Sequence, residues 1–99
     1  MKQVNLPYVM VRTFSAGVHC GYLKAHRGKQ VILLESIRIW SWSGAASLSQ
    51  LAMEGTKNPN SCQFAMPINT KIILTEAIEI ILMTEAAMVN IQNVKSWKI

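Results

Sequence analysis

The sequence predicts an α+β fold: one small domain over residues 1–99, mostly antiparallel β-sheet with two short α-helices. Three observations lead there. Runs rich in β-branched and aromatic residues (8–13, 18–24, 30–34 and 37–42) follow one another with turn residues between them. Two later stretches carry their own helix caps, Ser47 ahead of Leu48 and Thr84 ahead of Glu85. The chain has 99 residues, and one this short makes a single small core, burying roughly two thirds of its extended surface at best.

Taken in order, Tyr8, Val9 and Val11 lead a strand to Thr13, and Ser15-Ala16-Gly17 bends the chain. Residues 18–24 and 30–34 are the next two strands. The Gly28 in His26-Arg27-Gly28-Lys29 and the short spacing are those of an antiparallel hairpin. Gly21, inside the second strand, marks a bulge or the close approach of another backbone. Glu35-Ser36 interrupts the pattern before residues 37–42, as a bulge between strands or as a corner within one long strand. Past Gly44, Ser47 and Gln50 stand in capping-box relation, Leu48, Leu51 and Ala52 give an apolar face, and Gly55 ends a helix of about two turns.

Residues 56–61 are loop-like, and residues 62–67 read as an edge strand because Pro67 has no donor for a ladder. Residues 71–82 are ambiguous: their isoleucines argue strand, while Thr75-Glu76-Ala77 can begin a helix. Strand is preferred, since Thr84 with Glu85 behind it starts a helix directly afterwards. The tail from Val94 through Trp97 to Ile99 is apolar enough to dock.

Composition bounds the function. Hydrophobic residues make up 51% and charged residues 15%, apolar enough for a small protein to share surface with another subunit, so a homo-oligomer is expected. The net charge of +5 favours anionic partners. The basic residues are scattered, with one cluster at His26-Arg27-Gly28-Lys29, and no helix carries the row of cations that a DNA reader needs; nucleic acid is not the expected partner. Cys20, Cys62, His19 and His26 have no metal-ligand spacing, and no cofactor or metal is expected. Met1-Lys2-Gln3 opens no apolar run of the kind a signal peptide needs, and no stretch is long and apolar enough to span a bilayer, so a cytoplasmic, membrane-free protein is expected.

The best functional candidate lies in residues 35–55. Alternation along a strand puts Arg38, Trp40 and Trp42 on one face, with Ile37 and Ile39 on the other. Two indoles beside a guanidinium suit a ligand with flat rings and anionic groups; the same indoles could instead pack under the helix that follows. A second candidate is the turn after the first strand, with Arg12, the hydroxyls of Thr13 and Ser15, backbone N–H groups around Gly17, and His19. It lacks the spacing of a phosphate-binding P-loop.

Catalysis is not expected. The chain has no aspartate, His19 and Cys20 point to opposite faces of a strand, and Glu76 and Glu79 read as solvated or interface charges.

Three blocks, residues 11–19 (VRTFSAGVH), 38–49 (RIWSWSGAASLS) and 75–81 (TEAIEII), resemble a family of small tailed-bacteriophage proteins of unassigned function. A looser similarity links them to phage anti-Thoeris sponge proteins. These are oligomers that bind cyclic ADP-ribose-type signals, and in some members cyclic oligonucleotides, between subunits without cleaving them. The resemblance implies an anti-defence protein of the host cytoplasm that sequesters a cyclic nucleotide signal, with Arg12, Arg38 and the tryptophans as ligand contacts. The competing expectation is a non-enzymatic protein–protein interaction module.

Overall fold

The computed structural model describes residues 5–99; the reading of Met1-Lys2-Gln3 as an opening without a signal peptide lies outside the described residues. The elements in order are β1 (Tyr8–Thr13), β2 (Val18–Arg27), β3 (Gln30–Ser41), α1 (Leu48–Glu54), a single 3-10 turn (Pro59–Ser61), β4 (Gln63–Phe64), β5 (Lys71–Leu74), β6 (Ala77–Leu82) and α2 (Glu85–Gln92). The six strands form one antiparallel sheet in the order β4-β3-β2-β1-β6, with β5 also paired to β3. The expected α+β class with two short helices is the observed one.

The β2–β3 hairpin is the spine. It turns through Gly28-Lys29, where Gly28 takes the positive φ of 57° that glycine adopts without penalty. The break at Glu35-Ser36 is a bulge within one long strand. Cys20 pairs with Ile37 and Tyr22 with Leu34, leaving Glu35 and Ser36 opposite Gly21 alone, and Glu35 takes φ 52°. Gly21 is there because the bulged backbone crowds it: a Cβ would sit 3.0 Å from the Leu34 carbonyl oxygen and 3.1 Å from the Ser36 Cα.

The 71–82 segment is strand, as preferred over helix, but as two strands rather than one, on opposite edges of the sheet. β5 lies outside β3, with Val31 opposite Leu74, and β6 lies outside β1, with Val11 opposite Ile80. Between them Thr75-Glu76 bends the chain, and the Ala77 N–H donates to the Lys29 carbonyl at 3.0 Å. The physical reason is a second core. Val9, Val11, Val31, Leu33 and Leu74 are buried together with Ala77 and Ile80 against them, and a sheet encloses such a cluster only by curling its edges together.

The other face carries the larger core. Met10, Cys20, Tyr22, Ile37, Ile39 and Phe64 pack under Leu51 and Ala52 of α1 and Met88 and Ile91 of α2. Both helices are capped as the sequence predicts. The Ser47 hydroxyl accepts from the Gln50 N–H at 3.1 Å, Gln50 Oε1 accepts in return from the Ala46 N–H at 2.7 Å, and Gly55 closes α1 with φ 77°. Thr84 accepts from the Ala87 N–H at 3.1 Å and donates to the Met53 carbonyl at 2.7 Å, so one hydroxyl caps α2 and ties it to α1.

The expected edge strand at 62–67 is shorter, only Gln63–Phe64, though the chain keeps alongside β3: the Ala65 N–H donates to the Arg38 carbonyl and the Ile68 N–H to that of Ser36, both at 2.9 Å. The tail docks. Val94 is buried, Ser96 forms a parallel bridge with Phe64, and the Trp97 N–H donates to the Phe64 carbonyl at 2.8 Å. No helix among the described residues is long and apolar enough to cross a membrane.

Candidate functional site

Alternation along β3 sends Ile37 and Ile39 into the helix-side core and leaves Arg38 and Trp40 outside it, Trp40 being 64% exposed. Trp42 does not join them, which corrects the expectation that all three share a face. β3 ends at Ser41, the chain turns toward α1, and the Trp42 ring packs half-buried against the helix-side core in the company of Ala45 and Leu48. Strand alternation no longer governs a residue beyond the strand.

Arg38 and Trp40 line one cleft of about 320 Å³ together with Ser15, Ala16, Gly17 and Ile39. The pairing Val18 with Ile39 and His19 with Arg38 places the β1–β2 turn beside this end of β3, so part of each sequence candidate, Ser15 from the turn and Arg38 and Trp40 from β3, meets in one place. No carboxylate pairs with Arg38 among the described residues. An exposed, unpaired guanidinium beside an exposed indole is the arrangement that holds an oxyanion and stacks a flat ring.

The turn is built rigidly. Thr13 is buried; its hydroxyl donates to the Gly17 carbonyl at 2.7 Å and accepts from the Ala16 N–H at 2.8 Å. Gly17 has φ 85°, a left-handed conformation that costs other residues about 1–2 kcal/mol. Thr13 therefore shapes the cleft wall and has no free hydroxyl for a ligand.

Ser15 lines the cleft, and its hydroxyl donates to Glu76. Arg12 is placed apart: its Nε donates to Glu79 Oε1 at 2.9 Å, a partly solvated ion pair, and alternation along β1 turns it to the face of Met10, opposite to buried Val11. Glu76 and Glu79, expected as solvated or interface charges, are solvated or partly so and also bind Ser15 and Arg12. The spacing between Arg12 and Glu79 gives no sequence signal, because it depends on the register of β1 with β6.

His19 lies beneath the wall, 1% exposed, with Nε2 2.9 Å from the Ala16 carbonyl oxygen. A carbonyl only accepts, so the proton is on Nε2 and Nδ1 is a bare, buried acceptor without a partner. Burial holds its pKa below the ordinary 6.5; the Ala16 carbonyl acts against that shift and the Arg38 charge adds to it. The folded protein thus takes up this proton less readily than the unfolded chain. Stability owed to neutral His19 is complete above pH 6.5 and is lost as pH falls below that value toward the folded pKa. Urea midpoints from about pH 8 to pH 5 are expected to fall more steeply for the native chain than for His19→Gln; parallel profiles would exclude this role. Cys20, next to it, is buried on the opposite face, and burial pushes its thiol well above the usual range, so it is protonated and no partner for His19.

A larger cleft, about 380 Å³, lies between α2 and the β3 bulge, lined by Tyr22, Ile37, Pro67, Met88, Val89, Gln92 and two glutamates, Glu35 and Glu85. Sequence reasoning placed nothing there. The Arg38 cleft, with a guanidinium in its lining, is the better match to an anionic ligand.

A family profile described as "Domain of unknown function (DUF6948)" matches residues 6–91. No curated protein and no solved structure matches the chain.

Proposed function

The chain belongs to the DUF6948 family, and from that premise we propose that it binds a phosphorylated small molecule bearing a flat ring, without cleaving it. The observation that carries the reading is the unpaired Arg38 beside exposed Trp40 in one cleft with the Ser15-Ala16-Gly17 turn. Cyclic nucleotides and cyclic ADP-ribose-type signals have this chemistry. In its finer form the proposal is a phage anti-defence protein that sequesters such a signal in the host cytoplasm, supported by the resemblance of residues 11–19, 38–49 and 75–81 to small phage proteins.

Magnitudes bear on the assembly. Sequestration needs roughly nanomolar affinity, about 12 kcal/mol. One stacked base contributes about 1–3 kcal/mol and one charged hydrogen bond about 1.5–3 kcal/mol, so a single one-sided cleft falls short by half or more. A second wall is required, and a homo-oligomer that places the cleft against another subunit supplies one.

Arg38→Ala is the direct test. The side chain is exposed and its backbone pairing is independent of it, so stability is expected to change by less than about 0.5 kcal/mol. Binding of a cyclic nucleotide from a broad panel, measured by calorimetry, is expected to weaken about tenfold or more, the loss of one charge-assisted contact. A native chain that binds nothing in the panel, or an Arg38→Ala chain that binds as well, overturns the reading.

A protein partner is the second reading, favoured by one observation. Phe14 is 78% and Leu82 64% exposed, on β1's turn and on β6, the strand that ends the sheet. Native mass spectrometry reports subunit number and bound mass together; an unliganded monomer would favour this alternative.

A further inference from the structure

The docked tail presents a second aromatic and cationic surface that the sequence candidates do not include. Trp97 is 52% exposed even though its backbone is fixed to Phe64 and Val94 upstream is buried. It lines a cleft of about 320 Å³ with Lys95, Lys98, Ser96, Asn60 and Cys62. No carboxylate pairs with either lysine among the described residues; Glu54 is near Lys57, Glu79 pairs with Arg12, and Glu76 accepts from Ser15. A half-exposed indole between two unpaired cations repeats the chemistry of Arg38 and Trp40.

The two surfaces are linked through one cross-strand row. Ile39 of β3 pairs with Phe64 of β4, and Phe64 bridges to Ser96 of the tail. Trp40 and Trp97 each follow a member of that row by one residue. Because β3 and β4 are antiparallel and the tail is parallel to β4, the two indoles lie diagonally across β4, with Trp40 at the register shift between Ile39 and Ser41. Between them run β4 and the residue after it: Gln63 lies on the Trp40 side of Phe64, and Ala65, whose N–H donates to the Arg38 carbonyl, lies on the Trp97 side.

We propose that Trp97, Lys95 and Lys98 form a second subsite, and that the ligand class is therefore a compound of two nucleotide units. One base meets Trp40 with its phosphate at Arg38, and the other meets Trp97 with its phosphate at the lysines. The inference rests on the Arg38 and Trp40 reading above. It also supplies, within one chain, part of the affinity that a single cleft lacks.

The test compares adenosine 5′-monophosphate with the 5′-phosphorylated dinucleotide pApA, titrated by NMR into the native chain, Arg38→Ala, Trp97→Ala and Lys95→Ala/Lys98→Ala. The dinucleotide is expected to bind about tenfold or more tighter than the mononucleotide, as one further stacked base provides. Trp97→Ala is expected to erase that margin while leaving the amide shifts caused by the mononucleotide around Ser15, Ala16 and Gly17 unchanged. The double lysine variant, which leaves the docked indole in place, is expected to lower dinucleotide affinity and its salt dependence.

Dinucleotide affinity that is unmoved by Trp97→Ala and by the lysine variant but lost in Arg38→Ala overturns the second subsite and leaves the first. Affinity lost in Trp97→Ala but untouched in Arg38→Ala overturns the earlier reading instead. A native chain that binds neither compound overturns both.

Discussion

Gly44→Ala destabilises the domain by about 2–5 kcal/mol, a large part of what a chain of this size has to lose. Two costs add. Gly44 has φ 81°, a conformation worth about 1–2 kcal/mol to any residue with a Cβ. A Cβ there would also lie 2.5 Å from the Asn58 nitrogen and 2.6 Å from that of Lys57, both backbone atoms that cannot rotate aside. The Lys57 N–H donates to the Gly44 carbonyl at 3.1 Å, and the Asn58 N–H to the Thr56 hydroxyl at 2.9 Å, so moving the loop breaks the bonds that hold it.

Gly17→Ala is the matched control. Its φ of 85° is similar, but nothing lies within 4 Å of its Cβ position, so only the conformational cost of about 1–2 kcal/mol applies. Urea denaturation followed by tryptophan fluorescence separates the two; equal losses would show that the contact at Gly44 carries no weight.

Phe64→Ala is the second large effect, about 3–5 kcal/mol. Phe64 is the largest fully buried side chain, 1% exposed, in a strand of only two residues. It joins Ile39, the helix-side core and the tail. The cavity left behind also loosens the bridge to Ser96, so the Trp97 amide, bonded to the Phe64 carbonyl, is expected to lose hydrogen-exchange protection by more than the global loss of stability explains. Retained protection at Trp97 would mean that the tail docks independently of this ring. Both substitutions act at the end of β3 where Trp40 stands, and both are expected to weaken ligand binding indirectly.

Much of the architecture was legible in the chain because it follows from short-range physics. Tyr8–Thr13 is a strand as its β-branched run predicts, and Ser47, Gly55 and Thr84 bound their helices through hydrogen bonds within three or four residues. Gly21 was legible as a bulge site, since only a missing side chain explains glycine there. Alternation also placed Arg38 and Trp40 outside the core and Ile37 and Ile39 within it.

What failed were statements whose truth depends on partners far along the chain. Trp42 is of one residue type with Trp40 and two positions from it, yet it packs on the core because the strand stops before it and α1 returns over it. Arg12, offered as a ligand contact, meets Glu79 across a register that no local pattern encodes. The run at 71–82 looked like one strand because its composition is uniform; closing the sheet around Val9, Val31 and Leu74 bends it into two. The sequence by itself determined the elements, their caps and the outward position of Arg38 and Trp40, since backbone alternation and local hydrogen bonds are properties of neighbouring residues. Only the tertiary structure decided which cations are neutralised, which indoles are exposed and that the tail lies beside β4, because burial and pairing are fixed by contacts among residues distant in the chain.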